Sequence, residues 1–219
     1  MTAPENPRVT VRGEARVETD PDLARIGITV TARGADRRAT LADLTRRNTT
    51  VLDLVRGYGP AVEALETGAL TLTPELARRG RGEHVRAHHG TVHLTAVLGD
   101  FTALGELVTR LADLDLTRVD GPWWSLRPTS PVHTRARRQA VEDAVHRARD
   151  YAHALGTELD ALLELDDTAP DHLPFGAATP RAAFAAEAAD TAPPLDLRPQ
   201  RQTVTAHVVA RFTLHPPTL

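Results

Sequence analysis

The segment HTRARRQAVEDAVHRARDYAHALG, residues 133–156, decides the fold. Alanine recurs in it at every fourth position, at Ala136, Ala140, Ala144, Ala148 and Ala152. Because residues four apart lie nearly above one another on a helix, these methyl groups form a narrow seam that another element can approach closely. Val141, Val145 and Leu155 widen the seam into an apolar stripe, and Gly156 is typical of the left-handed residue that ends a helix. We expect this helix to pack on a sheet.

The remainder of the chain switches between the two hydrophobic periods. Residues 8–18 alternate apolar and polar side chains, as do the residues after Asp22, and the short turn between them favours an antiparallel hairpin. Residues 35–56 have helical periodicity behind Asp36 as a capping residue, with Asn48 inside the apolar stripe. Asn48 is expected to bond to backbone or water, or else to make a buried hydrogen bond that specifies the packing.

The resulting order is β-β-α-β-β-α-β-α-β-loop-β, which predicts an α+β fold with mostly antiparallel sheets and helices covering one face of each sheet. We expect two two-layer sandwich sub-domains. Residues 67–167 are predicted to form a ferredoxin-like sub-domain, and residues 8–66 with 200–215 a discontinuous second one. The segment 168–199, rich in proline and alanine, is interpreted as a loop or excursion.

Composition excludes several kinds of chemistry. The chain has 219 residues, of which 41% are hydrophobic, and a formal net charge of -3, so its overall charge does not favour nucleic acid or an anionic membrane. It contains no lysine, which excludes Schiff-base catalysis by that residue. It contains no cysteine and only the initiator methionine, which excludes thiol redox cycling and thiolate metal sites.

The N-terminal sequence MTAPENPRVTV has neither a positively charged start nor an apolar run, and no segment is long enough to cross a bilayer. We therefore expect a protein without a membrane span that stays in the cytoplasm.

An arginine-rich loop is the strongest candidate for contact with an anion. Arg78, Arg79, Arg81 and Arg86 lie around glycines, which would let several guanidinium groups approach one phosphate or carboxylate surface. The alternative is a solvated hairpin tip, and the acidic net charge argues against nucleic acid as the partner.

His89 and His93 are weak candidates as ligands of a metal ion or small molecule. On a strand they share a face, but no carboxylate or cysteine lies near them in sequence to complete a closed set. We expect neither a metal site nor a cofactor.

Trp123 and Trp124 are adjacent on a predicted strand, so they face opposite sides. Trp124 is in phase with Leu126 and is expected in the core. Trp123 is then exposed and is a candidate anchor for a partner or a second subunit. The alternative is that the 168–200 segment covers Trp123.

Catalytic motifs are absent from the sequence. Ser125 and Ser130 are its only serines, and neither lies in a G-x-S-x-G elbow. No phosphate-binding glycine loop is present, and the paired carboxylates lie at predicted element ends. We expect no catalytic residues and therefore a protein that is not an enzyme.

Several separated motifs together resemble one bacterial family, the SIMPL domain, a domain of unknown function named after a kinase-interacting protein. The motifs are Val9-x-Val11-x-Gly13, Pro21-Asp22-x-Ala24-x-Ile26, Asn48, Thr67 with Leu70-x-Leu72-x-Pro74, the strand Val119 to Leu126, the alanine-rich helix ending at Gly156, and Val204 to Phe212. The match covers roughly residues 8–215. The resemblance implies two interlocked α+β sub-domains, ring- or channel-like homo-oligomers in some members, and an association with oxidative-stress defence. The family offers no established catalytic residues to carry over, and related proteins are commonly exported.

These observations lead to one functional expectation and two alternatives. We expect a non-enzymatic, self-associating scaffold or binding protein, related to stress, with homo-oligomers and a protein partner. The first alternative is a small-ligand or metal-binding protein, or a hydrolase, that uses a cleft between the sub-domains near Arg86, His89 and His93. The second is an anion or nucleic-acid contact through the Arg78–Arg86 loop.

Overall fold

A computed structural model of the chain describes residues 6–76, 85–167 and 195–217. Within those ranges the predicted order of strands and helices is confirmed, and all strands lie in two antiparallel sheets. The strands are β1 (Arg8–Thr19), β2 (Leu23–Gly34), β3 (Val62–Leu76), β4 (Val85–Leu98), β5 (Thr117–Ser125), β6 (Leu159–Asp167) and β7 (Gln202–Leu214), and the helices are α1 (Arg37–Arg56), α2 (Phe101–Ala112) and α3 (Pro131–Ala154). The α+β class is therefore confirmed.

One compact unit contains α3 and a three-stranded sheet of order β1-β7-β6. Helix α3 packs on β1 and β7, and all five alanines of its seam are buried. The seam meets apolar side chains on the facing side of the sheet, among them Val11, Val208 and Phe212. Gly156 follows the helix with φ +67°, as predicted. The sequence pattern of α3 thus correctly predicts a helix whose alanine face is buried.

The second unit contains β2, α1, β3, β4, α2 and β5 in a four-stranded sheet of order β3-β4-β2-β5. This is the β-α-β-β-α-β arrangement of ferredoxin-like folds. Both helices begin at aspartate caps, since the side chain of Asp36 accepts from the N–H of Ala39 and that of Asp100 from the N–H groups of Thr102 and Ala103. The two helices share a core with the inward side chains of β2 and β4.

The predicted hairpin between β1 and β2 is wrong. β1 pairs with β7 along its full length, whereas β2 pairs with β4 and β5. The alternation of each strand is as predicted, but alternation shows only which face is buried and leaves the partner strand undetermined.

The predicted sub-domain boundaries differ from the observed units for the same reason. The ferredoxin-like unit spans residues 21–127 instead of 67–167, because β2 and α1 supply its first strand and helix. Helix α3 and β6, placed by the prediction in that sub-domain, join β1 and β7 in the other unit. Most of the 168–199 segment lies outside the described residues; residues 195–200 have no regular secondary structure and contact α2.

Two leucines of the second unit are exposed. Leu70 on β3 is 58% exposed and Leu41 on α1 is 41% exposed. β3 is an edge strand, and α1 packs mainly on β2 and β4. Val62 and Leu65, at the start of β3, still pack against the core, whereas Leu70 is exposed. Among the described residues, no helix is both long and apolar enough to cross a membrane.

Candidate functional site

The outer face of the four-stranded sheet carries the candidate Trp123. Alternate residues of β2 point into the core, which leaves Arg25, Gly27 and Thr29 on the opposite face. Trp123 of β5 lies directly across from Arg25 in the antiparallel register, so it shares that outer face. The two helices of this unit, α1 and α2, pack on the other face of the sheet.

Trp123 is held flat against the sheet and is still 43% exposed. Its ring lies over Gly27, where a Cβ would be 3.5 Å from the ring atoms, and the Arg25 guanidinium lies 5.4 Å from the ring centroid. That arrangement is a cation–π contact on a surface tryptophan. Trp124 points the other way and meets Phe101 edge to face, with ring centroids 4.9 Å apart. The opposite phases predicted for the two tryptophans are confirmed, whereas the role of Trp123 as an interface stays a prediction.

Side chains with charges of both signs lie around Trp123. We define the tryptophan surface by Arg25, Thr29, Arg118, Asp120 and Trp123. Arg118 and Asp120 lie across from Thr29 and Gly27, respectively, and their side chains pair at 2.6 Å. Arg33, farther along β2, pairs with Glu75 at 2.7 Å. The surface therefore carries both positive and negative charges, with an aromatic ring at one end.

The two candidate histidines lie on the same outer face and are exposed. His93 Nδ1 lies 3.0 Å from Thr29 Oγ1, and His89 Nε2 lies 3.3 Å from Thr91 Oγ1. Within residues 6–76, 85–167 and 195–217, no three histidine, aspartate or glutamate side chains come together in a way that could hold a metal ion. The structure thus gives both imidazoles threonine partners.

The arginine-rich loop is described only in part. Arg86 is exposed at the start of β4, and Arg78, Arg79 and Arg81 lie outside the described residues. β3 and β4 do form the predicted antiparallel hairpin on either side of that loop. The anion contact stays a prediction.

Strand β6 is a surface feature that the sequence reasoning missed. It forms one edge of the three-stranded sheet, and its residues from Asp160 to Asp167 are all exposed. A groove of about 480 Å³ lies between β6 and α3, with Arg149 and His153 on its helix side and Leu162 and Phe212 in its sheet side. The sequence LDALLELDD indicates only that the leucines at 162, 163 and 165 cannot all share one strand face, and it does not show that β6 is an edge strand.

Two polar side-chain atoms are enclosed without a hydrogen-bond partner among the described residues, Asn48 Oδ1 and His207 Nδ1. Asn48 lies on α1 next to the core, as expected, but the structure provides no protein hydrogen bond to its oxygen. Neither atom lines the groove or lies on the tryptophan surface, so neither is assigned a functional role.

The pKa of Asp43 on α1 lies below its ordinary value because the Arg47 side chain donates a hydrogen bond to it, at 2.8 Å, and Arg46 donates a second. Residues 43 and 47 are one helical turn apart on α1, so this is an ion pair within the helix surface. A carboxylate held in its charged form in this way is a poor general acid at neutral pH.

Two similar proteins are named as 26 kDa periplasmic immunogenic proteins, one from Brucella melitensis biotype 1 and one from Brucella abortus strain S19. Each is 24% identical over 181 residues, which is 77% of this chain and 69% of the relative. Among solved structures, a putative amidohydrolase/peptidase from Burkholderia cenocepacia matches with 17% identity and a TM-score of 0.29 over 67% of this chain. This chain spans 34% of that protein, and so weak a likeness supports no conclusion about fold or activity.

The expected cytoplasmic location is wrong, because the Brucella relatives are named periplasmic proteins and point to export. The expectation rested on the first residues of the sequence alone, and these do not establish where a protein resides. The family model for SIMPL, described as a protein of unknown function (DUF541), matches residues 9–212. This match confirms the resemblance found in the separated sequence motifs, and the chain belongs to the SIMPL family.

Proposed function

We propose that this chain is a non-enzymatic binding protein that self-associates through the tryptophan surface. The observation that carries the proposal is the 43% exposure of Trp123 on the sheet face opposite to α1 and α2. Tryptophan is enriched among the residues that dominate interface energies, because it buries a large apolar area with few rotatable bonds.

The charges around Trp123 support a second copy as the partner. A two-fold symmetric interface brings a patch against itself, so it must be complementary to its own charges. Arg118 and Asp120 supply both signs within one short segment, and Arg25 lies over the tryptophan ring. A rotated copy could therefore place arginine of one molecule beside aspartate of the other.

Absence of an enzymatic role is part of the proposal. On the outer face, each candidate histidine contacts a threonine hydroxyl group, and among the described residues neither imidazole has a hydrogen bond to a carboxylate that would complete a nucleophile–base–acid series. The two alternatives were a small-ligand or metal site and an anion contact. The described residues around Arg86, His89 and His93 make no contact that supports either of them. A stress-related role, which the family resemblance implies, would be indirect because the chain has no cysteine and a single methionine, Met1.

Light scattering on the purified chain at micromolar concentration tests the proposal. We expect a mass above that of the monomer, and we expect Trp123→Glu to lower it by placing a desolvated charge in the interface. Leu41→Glu is the matched control, since Leu41 is 41% exposed on α1 and lies away from the tryptophan surface.

A wild-type chain that is strictly monomeric would contradict the proposal. The proposed surface would be wrong if Trp123→Glu and Leu41→Glu left the same oligomer intact. Circular dichroism of both variants distinguishes lost association from lost folding.

A further inference from the structure

Among the described residues, the edge of the three-stranded sheet formed by β6 has no partner strand, and it carries exposed leucines. β7 pairs with one side of β6, and no strand of the described residues pairs with the other. Leu162, Leu163 and Leu165 are 54%, 49% and 45% exposed. An unpaired edge presents a row of N–H and C=O groups to any extended segment that approaches, and exposed leucines add apolar area beside it.

Two of the three leucines, Leu162 and Leu165, lie on the same face of the sheet as the side chains of β7 that α3 covers. Leu162 lies opposite Phe212 and Leu165 lies opposite Ala210, both of which belong to the buried face of β7. Helix α3 packs on β1 and β7 and leaves the groove beside β6. Side chains of an added strand would therefore contact apolar side chains on one face of the sheet.

The opposite edge, β1, is protected in a way that β6 is not. The backbone N–H of Glu14 on β1 donates to a carboxylate oxygen of Asp143 on α3, at 2.9 Å. Occupying an edge N–H with a side chain from the same molecule is a means of preventing edge-to-edge pairing. The described residues include no comparable contact on the outer side of β6, so the two edges are not equivalent.

The charge of β6 determines what kind of segment fits it. The strand carries Asp160, Glu164, Asp166 and Asp167 and no basic residue. Glu164 is paired with Arg211 at 2.8 Å, while Asp166 and Asp167 remain exposed at the end of the strand. Two copies of β6 side by side would set carboxylates against carboxylates, which destabilises cross-strand pairs. The complementary occupant is a strand with basic side chains.

We propose that the β6 edge accepts an extended segment of a partner protein in which apolar residues alternate with lysine or arginine, by addition of a strand to the sheet. In this recognition mode main-chain hydrogen bonds supply affinity, and alternate side chains supply specificity. The apolar residues would lie over Leu162 and Leu165, and the basic residues would face Glu164 and Asp166. This goes beyond self-association, because it assigns another surface and another partner.

Fluorescence anisotropy with a labelled peptide of about ten residues, alternating valine and lysine, tests the proposal at the usual length of a strand. We expect saturable binding that weakens as salt is raised. The double variant Asp166→Arg/Asp167→Arg should weaken binding by about tenfold or more, because it replaces attraction with repulsion at the open edge. The same peptide with every backbone nitrogen methylated should not bind, since it has lost its N–H donors.

The matched control is the double variant Glu142→Arg/Asp150→Arg, which changes net charge equally on the exposed surface of α3. We expect its affinity for the peptide to stay within about twofold of the wild type, as for charges remote from the bound segment. Equal weakening in both double variants, equal binding of the methylated peptide, or no saturable binding would overturn the proposal. So would a wild-type dimer that Leu163→Lys dissociates and Trp123→Glu does not, because a second copy would then occupy β6.

Discussion

A Cβ on Gly13 would lie 2.7 Å from the Cβ of Ala144 and would collide with the backbone of Ala140. Strand β1 can pack this closely on helix α3 because Gly13 has no side chain and the facing seam of α3 contains only methyl groups. The glycine and the alanine seam, more than 120 residues apart in sequence, are two halves of a single contact.

Replacing Gly13 by alanine should overpack this contact. We expect Gly13→Ala to lower the free energy of unfolding by about 1–3 kcal/mol, because the obstructing atoms belong to helix backbone and cannot rotate away. Urea denaturation measures the change. The control is Gly27→Ala, another strand glycine, whose new Cβ would meet the Trp123 ring at an ordinary 3.5 Å. A loss no greater than that of the control would show that β1 and α3 can separate at little cost.

Enlarging the seam from the helix side should have the same effect. Ala144 and Ala148 are fully buried against β1 and β7, so Ala144→Leu and Ala148→Leu should each cost about 1–3 kcal/mol in the free energy of unfolding. Ala154→Leu, at the exposed last residue of α3, is the matched control and should leave stability nearly unchanged. Thermal denaturation of the three variants checks this, and unchanged stability in both seam variants would mean that the helix face is loosely packed.

Removing the Asp143 carboxylate should expose the β1 edge. We expect Asp143→Ala to lower the free energy of unfolding by about 1 kcal/mol, since the Glu14 N–H loses its acceptor and Arg147 loses its partner at 3.0 Å. Hydrogen exchange of the Glu14 amide should become faster. Asp150→Ala, which removes only an exposed pair with His146, is the control. Unchanged exchange at Glu14 in the Asp143 variant would contradict the proposed edge protection.

The elements themselves were predictable because their signals are local. The helical period of α3, the cap at Asp36 and the left-handed Gly156 depend on neighbours within a few residues, and the structure confirms each. The partner of β1 was not predictable in this way. β1 pairs with β7, whose residues lie almost 200 positions away, and period-2 alternation is the same whichever strand lies alongside.

Of the two candidate surfaces, one was predictable from local sequence and the other was not. The exposure of Trp123 followed from its phase against Trp124, which is a property of two adjacent residues. The β6 edge could not be found from its own sequence, because a strand of leucines and acids does not show whether a neighbour covers it. Among the described residues, the sheet order gives β6 only β7 as a neighbour, and α3 packs mainly on β1 and β7.

By itself, the sequence determined the class of the fold, the order of its elements, the buried alanine face of α3 and the family. It also excluded thiol and lysine chemistry through the absence of those residues. Only the tertiary structure decided which strands share a sheet and that Gly13 is the counterpart of the alanine seam. It also decided that Asp143 protects the β1 edge, while no described strand pairs with the outer edge of β6. The physical reason is range: periodicity and capping act between residues close in sequence, whereas strand pairing and packing bring together residues that the chain order leaves far apart.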